Sequence, residues 1–207
     1  MSSFALPELV QPGRCAVVVQ EVQNGVVGDE SALPFLAEAA RAVGLFEHLP
    51  RLLEGARAAG VPVIHATAEN LPNGFGANRN ARLFAGARSA GADNAAGTRS
   101  VEPMAELGDW TQDLVLPRYH GLSPMTGGPL DSLLRNSGVS TVIVTGVSLN
   151  VAITNLTMDA VNRGYQVVIP RDTVAGYPVE YGESVLDNTL ALLATVTTTD
   201  AVLAAWR

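Results

Sequence analysis

The sequence predicts an α/β protein: a three-layer α/β/α arrangement around a mostly parallel sheet of about six strands. Three observations carry this. Short apolar runs rich in β-branched residues (CAVVVQ at 15–20, VPVIHA at 61–66, TVIVT at 141–145, QVVIP at 166–170) lack polar alternation, as strands covered on both faces do. Stretches of helical spacing lie between them, which calls for parallel pairing with right-handed crossovers. Ala, Val and Leu dominate while aromatic residues make up only 5% of the chain, a balance that favours layered α/β packing over an aromatic-rich sandwich.

In chain order, residues 1–13 contain prolines and no periodicity and are expected to form a surface arm, free to lie on a partner subunit. The first strand, 15–20, runs into Glu21 and Gln23. Apolar residues at helical spacing over 34–59 predict two helical pieces, with Gly44 and Pro50 as the candidate breaks. A second strand follows at 61–66 with His65 near its C-terminal end. The segment 67–97, rich in Gly, Asn, Ala and Arg, reads as a lid or oligomer contact around a helix at 78–88. Its Arg79, Arg82 and Arg88 can hold a carboxylate or merely solvate that helix. After a helical turn at 102–107, a third strand at 113–116 leads into PRYHGLSP. Helices at 128–136, 150–163, 179–193 and 200–206 alternate with strands at 141–145, 166–170 and 195–197, the last helix capped by Thr199 or Asp200.

Length and charge bound the function. At 207 residues the chain suits a single domain, 1–207, with one core. A net charge of −7 and no basic cluster exclude nucleic acid as a partner. No apolar run reaches the roughly 18–20 residues of a membrane span, and the N-terminus lacks a signal-peptide pattern, so a cytoplasmic protein with no membrane partner is expected. All 13 basic residues are arginine, which excludes Schiff-base chemistry. The single cysteine, Cys15, at the start of the first strand, reads as a small core residue.

In a parallel sheet, ligands bind beyond the C-terminal ends of the strands, so candidate site residues are those following the strands. Glu21 and Gln23 follow the first strand and His65 ends the second. Arg118, Tyr119, His120 and Ser123 follow the third. The fourth is expected to break at Gly146 into a strand-to-helix elbow that enters a helix near Asn150 and presents backbone N–H groups and one side chain, Ala152, at the crevice. Ala152 stands where many enzymes place a nucleophile. Arg118 can orient a substrate carboxylate or form an ion pair with Glu21.

With EVQNG, PRYHGLSP followed by PLDSLLR, and TGVSLNVAITNLTMDAVNRGYQVVIPRDTVAG in this order, the chain resembles the isochorismatase-like, or cysteine hydrolase, superfamily, whose fold is Rossmann-like. The resemblance implies a small-molecule hydrolase without cofactor, assembling as a homodimer or homotetramer. In that family an Asp, a Lys and a Cys act together, and their positions fall on Glu21, on Arg118 or the neighbouring Tyr119, and on Ala152. The resemblance thus implies a divergent member lacking the Cys nucleophile and the Lys. Glu21 would serve as general acid or base and water as the nucleophile, acting on a small-molecule substrate that can bear a carboxylate. Substrate-binding roles fall to Ser148, Asn150, His120, Tyr119, Gln23 and His65. The alternative is an inactive member that keeps the pocket for binding or scaffolding. A cis peptide at Val147-Ser148 is implied as well, and no metal is expected, because the Asp and two His of metal-binding nicotinamidase relatives are missing after the second strand.

Overall fold

A computed structural model describes residues 5–207 of the chain. Its strands are β1 (Cys15–Gln20), β2 (Val63–Ala68), β3 (Leu114–Arg118), β4 (Thr141–Val147), β5 (Gln166–Pro170), β6 (Val174–Ala175) and β7 (Thr195–Thr197). They form one sheet in the order β3-β2-β1-β4-β5-β7, with β6 added to β4, and every strand pairing is parallel. The helices are α1 (Leu6–Leu9), α2 (Asn24–Val27), α3 (Pro34–Ala42), α4 (Leu45–Ala58), α5 (Arg82–Ser89), α6 (Leu130–Asn136), α7 (Thr154–Asn162), α8 (Val179–Asn188) and α9 (Thr199–Ala205).

Alternate residues of each strand serve opposite layers, which is why β1 and β4 are apolar on both faces. Cys15, Val17 and Val19 pack with Ile143, Val147 and Val168 under Leu49, Leu52 and Leu53 of α4 and Val202 of α9. Ala16, Val18, Val142, Val144 and Ile169 meet Leu134 of α6, Leu156 of α7 and Leu186 of α8. The predicted three-layer α/β/α fold with a parallel sheet is the fold observed.

Departures from the sequence reading have local causes. The break in 34–59 lies at Gly44, whose φ of +74° is left-handed, and Pro50 sits inside α4 without ending it. The second and third strands run two residues further toward the ligand edge than expected, making Arg118 the last residue of β3 rather than a loop residue. Gly146 does not end β4; the strand continues through Val147 before turning at Ser148. The expected helix 150–163 opens instead as a wide turn over Leu149–Ile153 before α7.

The described part of the N-terminal arm also packs on its own chain. Leu9 and Val10 are buried, and the Trp206 indole donates to the Val10 carbonyl at 2.7 Å. Residues 1–4 of the predicted arm lie outside the described residues.

Candidate functional site

Successive strands run from β1 outward through β2 to β3, and from β4 outward through β5 to β7. The chain therefore reverses direction between β1 and β4, the place where an open parallel sheet leaves a crevice at its strand ends. Gln20 of β1 stands opposite Gly146 of β4 in register, so Glu21 and Ser148 emerge on the two sides of that crevice. Glu21 has a φ of +58°, a backbone conformation rare for a side-chain-bearing residue, while its N–H donates to the Ala66 carbonyl at 3.0 Å. Across from it, the Val147-Ser148 peptide is cis.

Arg118 closes the floor of the crevice. Its Nη2 donates to Glu21 Oε1 at 2.5 Å, and its Nη1 donates to the backbone carbonyls of His120, at 3.2 Å, and Gly121. Gln20 Nε2 reaches the same Glu21 oxygen at 3.2 Å and the Leu122 carbonyl at 2.8 Å. Both members of the ion pair are largely sheltered, with side-chain exposures of 13% for Arg118 and 16% for Glu21. A charged hydrogen bond in such surroundings is stronger than a surface pair, because less water screens it.

Above this floor lies a cavity of about 670 Å³. Glu21, Arg118, Tyr119, His120, Ser148 and Ala152 all border it, so the structure brings together six of the residues singled out in the sequence. The opposite wall comes from the segment 69–96, including Arg79, Arg88, Leu83 and Phe84. That wall is pinned to the floor by Asn78, whose Oδ1 accepts from the Gly121 N–H at 2.7 Å.

Three candidates fall elsewhere. Gln23 is fully buried and turned into the backbone: its Oε1 accepts from Ala68 N at 2.8 Å, and its Nε2 donates to the carbonyls of Ala68 and Ser100. His65 points to the α4 side of the sheet, where its Nε2 meets Asp113 Oδ2 at 2.8 Å. Burial pushes its pKa below 6.5, outweighing the pull of Asp113. Asn150 is turned toward the Tyr177 carbonyl, 3.5 Å away, and does not border the cavity. Sequence reasoning passed over Gln20 and Asn78. A glutamine ending a strand of valines was the available signal for the first; nothing local marked the second. Among the described residues, no group of three or more His, Cys, Asp or Glu is placed to hold a metal.

The three-layer α/β/α fold with its parallel sheet matches an isochorismatase-like topology. The chain belongs to that family: the isochorismatase domain matches residues 15–201. It is 27% identical over 180 residues to the ureidoacrylate amidohydrolase RutB of Rhizobium rhizogenes strain K84, covering 80% of this chain and 72% of that protein. Among solved structures, a cysteine hydrolase from Pseudomonas syringae pv. phaseolicola 1448A superposes with a TM-score of 0.83 at 25% identity, over 100% of this chain and 98% of the other. An isochorismatase family protein from Desulfovibrio vulgaris subsp. vulgaris str. Hildenborough gives a TM-score of 0.76 at 26% identity, over 92% and 98%.

These findings correct the mechanism inferred from the sequence. The family domain opens on Cys15 and so holds the chain's one cysteine, and the Pseudomonas structure of this fold is a cysteine hydrolase. The description as a divergent member lacking its cysteine, working through Glu21 and water, is not retained. At the site, Glu21 Oε1 accepts from Arg118 and Gln20.

Cys15 itself lies at the start of β1, some 20 Å along the strand from Glu21 at the usual rise per residue. Its Sγ donates to the Val10 carbonyl at 3.2 Å, and burial pushes the thiol up to about 11. It does not border the cavity. A thiol reagent at neutral pH is therefore expected to label Cys15 only as the protein unfolds. Rapid stoichiometric labelling of the native protein would contradict the buried placement.

Proposed function

We propose that the chain binds a small carboxylate-bearing molecule in the cavity between the strand ends and the 69–96 segment, as a cytoplasmic member of the isochorismatase family. The observation that carries this is a pair of guanidinium groups. Arg79 and Arg88 border the cavity, and among the described residues neither has a carboxylate within salt-bridge distance; Arg88 donates only to the Asn78 carbonyl, at 3.1 Å. Both arginines are exposed at the rim, where a cation without a carboxylate partner favours an anionic guest, and guanidinium matches a carboxylate in two parallel hydrogen bonds. Leu33, Leu36, Leu83, Phe84 and Val151 give the same cavity apolar wall for the body of such a molecule. Ser148 and Ala152 offer the elbow to its polar end, with Tyr119 and His120 beside it. The RutB relative, by its name, acts on a carboxylate, ureidoacrylate.

Titration calorimetry with ureidoacrylate and with benzoate tests the reading. Saturable binding of at least one is expected, weakened about tenfold or more when Arg79 and Arg88 are both replaced by Leu, the loss of a charged hydrogen bond or two. No heat from either ligand, or equal affinity in the double variant, refutes it.

Homodimer or homotetramer assembly belongs to the same reading. Phe75 is 78% exposed on the cavity-lining segment, and the exposed Tyr177 ring meets Phe35 at a tilt, centroids 4.9 Å apart, with Tyr181 nearby in sequence. Light scattering coupled to size exclusion should give two or four times the 21.6 kDa chain mass, and a clean monomer is the adverse result.

A further inference from the structure

We infer that Gln20 is a positioning residue: from the end of β1 it holds Glu21 against Arg118 and clamps the 118–122 turn beneath the cavity. The inference rests on reading that cavity as a ligand site. Gln20 is fully buried, at the end of a strand otherwise made of Cys, Ala and Val. Its amide hydrogens are both used, one side reaching Leu122 O at 2.8 Å and the other Glu21 Oε1 at 3.2 Å. Its own Oε1 is buried with no partner.

The two donor contacts identify what the side chain does. Turning the amide over is no remedy for the unpartnered oxygen, because it would set Oε1 against the Leu122 carbonyl and the Glu21 carboxylate. The two donors therefore fix the orientation.

What the donors complete is a closed circuit. Gln20 binds Glu21, Glu21 binds Arg118, and Arg118 binds the carbonyls of His120 and Gly121. The next carbonyl, Leu122, returns to Gln20. The Gly121 N–H extends the circuit to Asn78 and so to the wall carrying Arg79 and Arg88. One side chain thus ties the floor of the cavity to its far wall.

The test compares wild type with Gln20→Met, which fills the same volume without polar atoms, by phenylglyoxal modification of individual arginines read by peptide mass spectrometry, with no ligand present. The variant is expected to fold with a melting temperature no lower than wild type. Its Arg118 should react about fivefold faster, the factor that one lost hydrogen bond carries, while Arg135 and Arg171 react at unchanged rates. An unchanged Arg118 rate overturns the inference, as does a variant that fails to fold, which would make Gln20 a stability residue. Because no ligand enters the measurement, wild type failing to bind ureidoacrylate or benzoate would count against the ligand reading alone.

Discussion

Replacing Asp113 by Asn is expected to lower the unfolding free energy by about 3 kcal/mol, the low end of what breaking a buried ion pair costs. Asp113 immediately precedes β3, with its side chain only 3% exposed. It takes Arg57 Nε at 3.1 Å on one oxygen, and on the other Arg57 Nη2 at 2.6 Å and His65 Nε2 at 2.8 Å. Asn keeps the shape but removes the charge and one of the two acceptors. His65, 2% exposed, then has no carboxylate to face, whereas Arg57, 26% exposed, recovers some hydration, which is why the low end applies. Asp200→Asn is the control: its partner Arg51 and its own carboxylate are exposed, and such pairs contribute about 0–1 kcal/mol. Urea unfolding of the two variants should separate them clearly, and equal losses would mean that the buried pair adds nothing special.

The same cluster sets an acid limit on stability. Burial pushes His65 down from 6.5, against the pull of Asp113, so between the folded value and 6.5 the unfolded chain binds more protons than the folded one. Stability therefore rises with pH across that window and is lost as pH falls through the folded value. Burial pushes Asp113 up, yet hydrogen bonds from Arg57 and His65, with their charges, leave it below 3.8; its contribution is present above 3.8 and lost only in stronger acid. His65→Gln keeps a donor for Asp113 and cannot titrate. Its stability should be flatter than wild type on acidification below pH 6.5, by up to about 1.4 kcal/mol per pH unit, and parallel curves would contradict the assignment.

The parts of this molecule legible in the sequence are those that local pattern determines. Strands covered on both faces must read as β-branched runs, so β1 and β5 are legible at their true bounds. The rim of the sheet follows once the strands are placed, which makes Glu21, Arg118 and Ser148 legible as rim residues. Direction within the rim does not follow. Gln23 and His65 also stand near strand ends, but their side chains turn into the backbone and the α4 layer, and their partners Ser100 and Asp113 lie 77 and 48 residues away. The strand Val174–Ala175 is two residues long and has no periodicity to detect. Cys15, in a run of Ala and Val, carries no local mark beyond that of a core residue, although the family domain opens on it.

Gly146→Ala is expected to cost more than any other single methyl added at the site. Gly146 lies within β4 at φ +105°, where a side chain is strained by about 1–3 kcal/mol. Its added Cβ would stand 2.1 Å from Gln20 O, 2.8 Å from Gln20 N and 2.9 Å from Gln20 C, all backbone atoms of the adjacent strand. No rotamer relieves a clash with backbone, so β1 and β4 must part at the point where they pair, adding about 1–3 kcal/mol of overpacking. Gly164→Ala provides the comparison: its φ of +86° carries similar strain, but nothing lies within 4 Å of the new carbon. The difference between the two unfolding free energies thus isolates the close approach of the strands. If the two variants lose the same stability, the approach is not rigid. If Gly146→Ala loses more but still folds, Gln20 must shift with its strand, and Arg118 should become reactive to phenylglyoxal as it does in Gln20→Met. That link follows because the glycine in β4 and the glutamine in β1 are register partners, so the strand contact that sets the sheet also sets the carboxylate one residue beyond it.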